Sequence, residues 1–319
     1  MDKVVGNILI KILVILFIGL IFPVERTNPW ILFSIPSNAN DFSLVGSNVS
    51  EGTAGFYQFA NPALLPNSNG KIFGTSYTMM SLDRSSQVLS VNYSLPPNAA
   101  VAISMMRTGT SDIQGRDIFN NNTELFNHHE ILGMISFGIS FGKYINGGLN
   151  IKTSYSNLDN IFGDNNEANY SISNNGIGFD GGILFNYSEL YPVLGIKLEN
   201  VGSAKNWSLN IDEQGNAYEE KVPVTYKIGA HYNITNQSSI FLCKDNSINN
   251  FFLNSFAFKV DSQSKNMGLR LGVTIINKSQ ILPASGFYYS SRFFRLHYGF
   301  NFGSANEGIS HIFSWNFTL

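Results

Sequence analysis

Charge is what this chain has least of. Only 13% of its 319 residues are Asp, Glu, Lys or Arg, where a soluble domain carries roughly 25%. Acidic and basic residues nearly cancel to a net charge of −2. That balance leaves no basic stripe to displace counterions and argues against nucleic acid as a partner. Cys243 is the single cysteine, so an internal disulfide framework is excluded and the residue reads as a plain strand position. No apolar run is long enough to cross a bilayer comfortably as a helix. Catalytic signatures are missing as well: no Gly-x-Ser-x-Gly elbow, no Cys-x-x-Cys, no His-Glu-x-x-His. His128 and His129, beside Glu130, are the one place for a metal or acid/base cluster, and they read better as solvated residues of a long loop. We therefore assign no catalytic residue, no metal ligand and no cofactor.

What the chain has is aromatics and alternation. It carries 26 Phe, 14 Tyr and 29 Gly, a mixture that suits lipid outside a barrel and small polar residues within. The last 26 residues show the pattern most clearly. Leu296, Tyr298, Phe300 and Phe302 alternate with Arg295, His297, Gly299 and Asn301. After a Gly/Ser/Asn turn come Ile309, Phe313, Trp315, Phe317 and Leu319, set against Ser310, Ser314, Asn316 and Thr318. A period of two puts successive side chains on opposite faces of a strand. A soluble sandwich could own one such hairpin; a chain that ends on it suggests a membrane barrel closed by its last strand, with Phe300, Phe302, Phe313, Trp315 and Phe317 as the closing face.

The amino terminus has the outline of an export signal. Lys3 and Lys11 flank or enter an apolar run from Ile8 to Phe22, which Pro23, Glu25 and Arg26 stop. A second apolar patch, from Trp30 to Ile35, leads to Ser37-Asn38-Ala39, a small-x-small pattern that sets the mature start near Asn40. An uncleaved anchor is the competing reading. The expected organisation is a signal over residues 1–39, a plug or hatch over 40–69 and a barrel over 70–319.

Roughly fourteen strands can be counted after residue 70. Residues 131–141 are very regular: Ile131, Ile135, Phe137, Ile139 and Phe141 face one way, Ser136, Gly138 and Ser140 the other. The three longest expected loops, residues 108–130, 157–176 and 202–221, follow the third, fifth and seventh strands, while connections after even-numbered strands are short. In a barrel with both ends in the periplasm, long loops belong outside and short turns inside. Leu319 is therefore expected in the periplasm of a diderm bacterium, with the barrel in its outer membrane. Asp180, Lys197, Glu199, Arg270, Arg295 and His297 fall on the face opposite the apolar one, as a candidate lumen network that could hold the amino-terminal segment inside.

Gly52-Thr53-Ala54-Gly55, followed by Ala60-Asn61-Pro62-Ala63-Leu64-Leu65, resembles the amino-terminal signature of the PorV/PorQ family, within the larger group of FadL-like outer-membrane barrels. Gly52, Gly55, Asn61, Pro62 and Ala63 form its plug motif. Asn-Pro suits a rigid turn, because Pro fixes its own φ and keeps the preceding residue out of helix. Gly176 through Gly182, Leu198-Glu199-Asn200-Val201-Gly202, Val222-Pro223 through Gly229, and the closing hairpin are similar to further family segments in the same order. Where the family commonly has Asp before the Tyr of that hairpin, this chain has His297. The resemblance spans residues 52–319. It implies an all-β antiparallel transmembrane barrel of about fourteen strands with an amino-terminal segment folded into or against it.

The same resemblance implies two kinds of role. PorV/PorQ-type proteins serve the type IX secretion system as a cargo shuttle or as a holder of an accessory protein. More distant FadL-like relatives pass hydrophobic molecules through a lateral opening. The leading expectation is a non-enzymatic barrel that docks secretion or surface proteins through its external loops. The alternative is a passive transporter of hydrophobic compounds, with the plug as hatch and a kinked strand opening sideways.

Overall fold

The computed structural model describes residue 33 and residues 35–116, 119–159, 170–188, 190–211, 214–247, 254–277, 280–303 and 308–319. The expected export signal lies mostly outside them. Among the described residues alternation builds fifteen antiparallel strands. The first seven are β1 (Lys71–Met79), β2 (Arg84–Leu95), β3 (Ala99–Arg116), β4 (Asn122–Phe141), β5 (Ile145–Asp159), β6 (Tyr170–Phe185) and β7 (Val193–Ile211). Then come β8 (Gln214–Lys221), β9 (Thr225–Asn233), β10 (Ser238–Asp245), β11 (Ser255–Asp261) and β12 (Met267–Asn277). The last three are β13 (Gln280–Ser290), β14 (Phe294–Asn301) and β15 (Ser310–Thr318). Neighbours in sequence pair in space except β8 and β9: β7 pairs with β9 past β8, and β15 returns to β1. Fourteen strands thus close a barrel, and β8 adds to the side of β7.

Side chains sort by face as the alternation requires. On β2, Val88, Ser90 and Asn92 are buried while Leu89, Val91 and Tyr93 are exposed. Ile103 is 67% exposed and Ile135 62%. An apolar belt of this kind would aggregate in water and is stable only when lipid covers it. At the seam, Leu296 pairs with Trp315 and Tyr298 with Phe313, and Phe73 of β1 meets Phe317. Phe300 and Phe302 continue that outer aromatic row, their rings 5.1 Å apart. Ile312, which the polar–apolar alternation of β15 does not assign, points inward and is fully buried.

The long connections expected after the third, fifth and seventh strands are mostly strand where they are described; residues 160–169 of the second lie outside the described residues. β3 runs on to Arg116 and β4 starts at Asn122, while β7 reaches Ile211 and folds back as β8. His128 and His129 are therefore strand residues of β4, opposite Thr110 and Gly109, rather than loop residues. As neighbours in a strand they face opposite ways and cannot converge on one ion. The alternation vanished from the sequence here because both faces of these extensions are polar. β3 to β7 hold 15–20 residues each against 7–11 for β9 to β15. A bilayer needs only about 9–11, so one side of the wall rises well beyond it.

The lumen is filled by residues 35–70, the plug. It contains α1 (Ala39–Ser43), α2 (Tyr57–Ala60) and a 3-10 turn (Pro62–Asn67). Asn38 caps α1, its side chain accepting from the Asn40 and Asp41 backbone N–H groups. Apolar burial lies between plug and wall. Phe56 packs on Val88, Met106 and Leu132, Phe42 on Ile312, and Leu44 on Phe241. The plug reaches upstream of the expected start at Asn40, for Ser37, Asn38 and Ala39 are all buried.

Candidate functional site

The plug is seated on glycines. Gly138, Gly148 and Gly182 form one directly paired row across β4, β5 and β6. A Cβ on Gly148 would stand 2.3 Å from the Pro62 carbonyl carbon, and one on Gly182 would stand 2.0 Å from Asn61 Oδ1. Only hydrogen fits at these positions. Asn61 is fully buried. Its Oδ1 accepts from the Ala63 N–H at 3.0 Å, while Nδ2 faces the carbonyls of Val49 at 3.0 Å and of Ile183 and Ile196 at 3.3 Å. One side chain thus joins two parts of the plug to β6 and β7. Of the other motif glycines, one meets the wall and one the plug itself. Gly55 has φ +84° and lies against Gly74 of β1, and Gly52 lies under the Tyr57 ring.

Above Asn61 a charged wall faces the plug. Asp180 of β6 pairs with Lys152 at 2.6 Å and accepts from Asn150 Nδ2 at 3.1 Å. Lys197 donates to the Phe59 carbonyl and to Glu199, each at 2.6 Å. Lys227 joins Glu199 at 3.8 Å to Asp245 at 3.2 Å. Each charge is matched where it is buried, which is the condition for keeping ions in a confined space. Opposite, on the plug, Asp41 accepts from Asn48 at 2.5 Å and from Ser37 at 3.4 Å. Burial raises the Asp41 carboxyl from its ordinary 3.8 to about 6, against the hydrogen bonds from Asn48, Asn38 and Ser37.

This charged wall coincides with a defect in the barrel. Ile177 pairs with Ala204, Phe179 with Val201 and Gly181 with Leu198. Twice in succession, therefore, two residues of β7 oppose one of β6, which makes two adjacent β-bulges. Asn200 and Gly202 take positive φ, 63° and 61°. On the other side, β7 changes partner from β9 to β8 over the same stretch, bridged by Val222-Pro223-Val224, where Pro223 has no N–H to offer.

Two cavities flank the plug. The outer one, about 360 Å³, is lined by Phe33, Ile35, Phe42 and Leu132 together with Asp180, Lys197 and Asn200, so the bulged strand is part of its wall. The inner one, about 410 Å³, opens toward the Leu319 rim and is lined by Asn40, Glu51, Tyr57, Arg270, Arg295 and His297 among others.

The lumen candidates read from the sequence thus divide into two groups. Asp180 belongs to the outer wall and pairs with Lys152. Arg270, Arg295 and His297 gather instead around the Tyr288 ring at 4.7, 5.3 and 5.4 Å. Arg270 pairs with Asp261 at 2.7 Å and reaches Asn40 of the plug at 2.9 Å. Glu51 pairs with Lys259. Burial is the largest influence and acts to raise the Glu51 carboxyl, but Lys259, His231 and Arg270 together outweigh it and hold the group below its ordinary value. Sequence reading missed Asn150, Lys152, Asp41, Glu51 and Tyr57. The first two stand on the polar phase of β5 and were recoverable from alternation, whereas the plug residues carry no periodic signal.

A closed, plugged, fourteen-strand barrel defines the class of the fold. Solved structures with a similar fold include the Pseudomonas putida toluene transporter TodX, at 12% identity and a TM-score of 0.61, over 94% of this chain and 100% of that one. The monoaromatic hydrocarbon channel CymD matches at 12% and 0.61, over 89% and 98%. A Pseudomonas aeruginosa FadL homologue matches at 9% and 0.57, over 89% and 99%. At such identities the likeness is one of fold. No protein-family profile and no curated protein matches the sequence.

Proposed function

We propose that this protein is an outer-membrane channel that passes small hydrophobic compounds sideways through its wall, with Leu319 at the periplasmic rim. The observation that carries the reading is the doubly bulged segment of β7 forming one wall of the half-apolar outer cavity. An apolar solute entering from the tall side meets Phe33, Phe42 and Leu132, and the plug blocks the straight path. The strand beside it is interrupted by two bulges, where the ladder to β6 is broken. Outside that strand, Phe179, Leu198 and Val201 face lipid, where an apolar solute is more stable than in water. That structural neighbours are a toluene transporter and a monoaromatic hydrocarbon channel supports this reading.

The docking role in type IX secretion has less behind it. Its support is the PorV/PorQ resemblance, whose motifs Asn61-Pro62-Ala63 and Gly178-x-Asp180-x-Gly182 meet each other as plug and seat. They mark the barrel rather than a partner surface.

A cross-strand disulfide tests the channel. Phe179→Cys with Val201→Cys, paired across the bulges, in a Cys243→Ala background, would lock β6 to β7. Cells lacking their own channel and expressing the wild type should take up labelled toluene. The oxidised pair should not, and reduction should restore uptake. Equal uptake by oxidised and reduced forms would rule out passage through β7.

A further inference from the structure

The inner cavity holds a cation that its surroundings do not neutralise. Arg270 is matched by Asp261 and Lys259 by Glu51. Among the described residues Arg295 has no carboxylate partner. Its Nε donates to Ser290 Oγ at 3.3 Å and its guanidinium lies over Tyr288 at 5.3 Å. His297, two residues along β14, shares its face of the strand. It is 4% exposed, and its Nε2 has no hydrogen-bond partner although the ring lines the cavity. From the plug side, the half-buried Tyr57 lines the same space. Burial raises its phenol, while the nearby Arg295 charge acts to lower it.

We infer that the inner cavity binds a small monocarboxylate, held between Arg295 and His297 of β14 and the hydroxyl of Tyr57 on the plug. The guanidinium edge matches a carboxylate with two parallel N–H donors. His297 Nε2, in the tautomer that carries the proton, and the Tyr57 O–H supply further donors. One unmatched cation calls for one negative charge, and Glu51 in the same lining opposes a dianion such as phosphate. Leu184 and Val193 on the lining give the rest of the ligand an apolar surface, so benzoate suits the cavity better than acetate. A bound carboxylate would tie the wall to α2 from the Leu319 side. This site does not depend on the transport reading.

The test uses the full chain in detergent micelles, titrated calorimetrically with sodium benzoate, acetate and inorganic phosphate. Benzoate should bind, with acetate and phosphate each weaker by about tenfold or more. Arg295→Gln should weaken benzoate by about tenfold, and Tyr57→Phe and His297→Gln by smaller factors. Arg295 is exposed at the rim, so the unliganded Arg295→Gln protein should unfold at the wild-type temperature. Absence of benzoate binding to the wild type, phosphate binding as tight as benzoate, or unchanged benzoate binding by Arg295→Gln would each overturn the assignment.

Discussion

Asp180 on β6 accepts the backbone N–H of Asn200 on β7 at 3.0 Å, at the bulge where that N–H has no ladder partner. The same carboxylate holds Lys152 at 2.6 Å, and Lys152 donates onward to Asn200 Oδ1 at 2.7 Å. A side-chain clasp therefore replaces the missing strand pairing. Removing one partner of a buried ion pair leaves the other charge exposed to a poor environment, at a cost of about 3–5 kcal/mol. Asp180→Ala should lower the unfolding temperature in detergent clearly. Lys152→Ala added to it should recover part of the loss, because the stranded ammonium goes too. Additive losses in the double variant would show that the two residues do not act as a pair.

The glycine seat gives a sharper steric prediction. Gly148→Ala drives a methyl group into the Pro62 backbone, which cannot rotate away. Overpacking of this kind costs about 1–3 kcal/mol, and the cheapest relief is for the plug to lift. We expect raised ion conductance in planar bilayers and faster proteolysis within residues 35–70. Gly133→Ala is the control: its Cβ would meet only the Thr153 methyl, at 3.6 Å. If the two variants leak alike, the seat does not hold the plug.

Asp41 predicts the pH dependence of plug docking. Its carboxyl ionises near 4 when the plug is released and at about 6 when docked. The docked form thus binds the proton more tightly, so the stabilisation is full below about pH 4 and is lost as pH rises through 6. The difference amounts to about 3 kcal/mol. Wild-type protein should unfold at a falling temperature between pH 4 and 7, and Asp41→Asn should lack that part of the slope. Parallel curves for the two proteins would remove Asp41 as the source.

The sequence disclosed the barrel wherever one strand face meets lipid and the other meets the plug. Phe313, Trp315 and Phe317 against Ser314 and Asn316 are legible for that reason. The signal fails at the upper ends of β3 and β4, where water bathes both sides and Asp112, Gln114 and Asn127 follow no face rule. It fails again inside the lumen. Asn61-Pro62 reads as a turn, yet nothing local says that Gly148 and Gly182, some 90 and 120 residues on, must be bare for it to dock. Such long-range complementarity exists only after closure. Arg270 and Asp180 share a phase and were grouped on that basis, but alternation gives the face and not the neighbour.

Processing of the amino terminus supplies the last prediction. Cleavage after Ala39, the small-x-small site, would remove Asn38, whose side chain takes two N–H groups at the start of α1. It would also remove the Ala39 N–H that reaches Ser314 Oγ at 2.7 Å and the Ser37 carbonyl that accepts from Ser76 Oγ at 2.5 Å. Loss of such a cap alone costs about 1 kcal/mol, and a new ammonium at Asn40 would stand beside Arg270, which already donates to the Asn40 side chain at 2.9 Å. These contacts favour a mature chain that begins upstream of Ser37. Intact-mass measurement on protein extracted from outer membranes should give a first residue before position 37. A chain engineered to start at Asn40 behind a foreign signal should melt lower and leak more. A native mass beginning at Asn40 would mean that the plug docks without its cap.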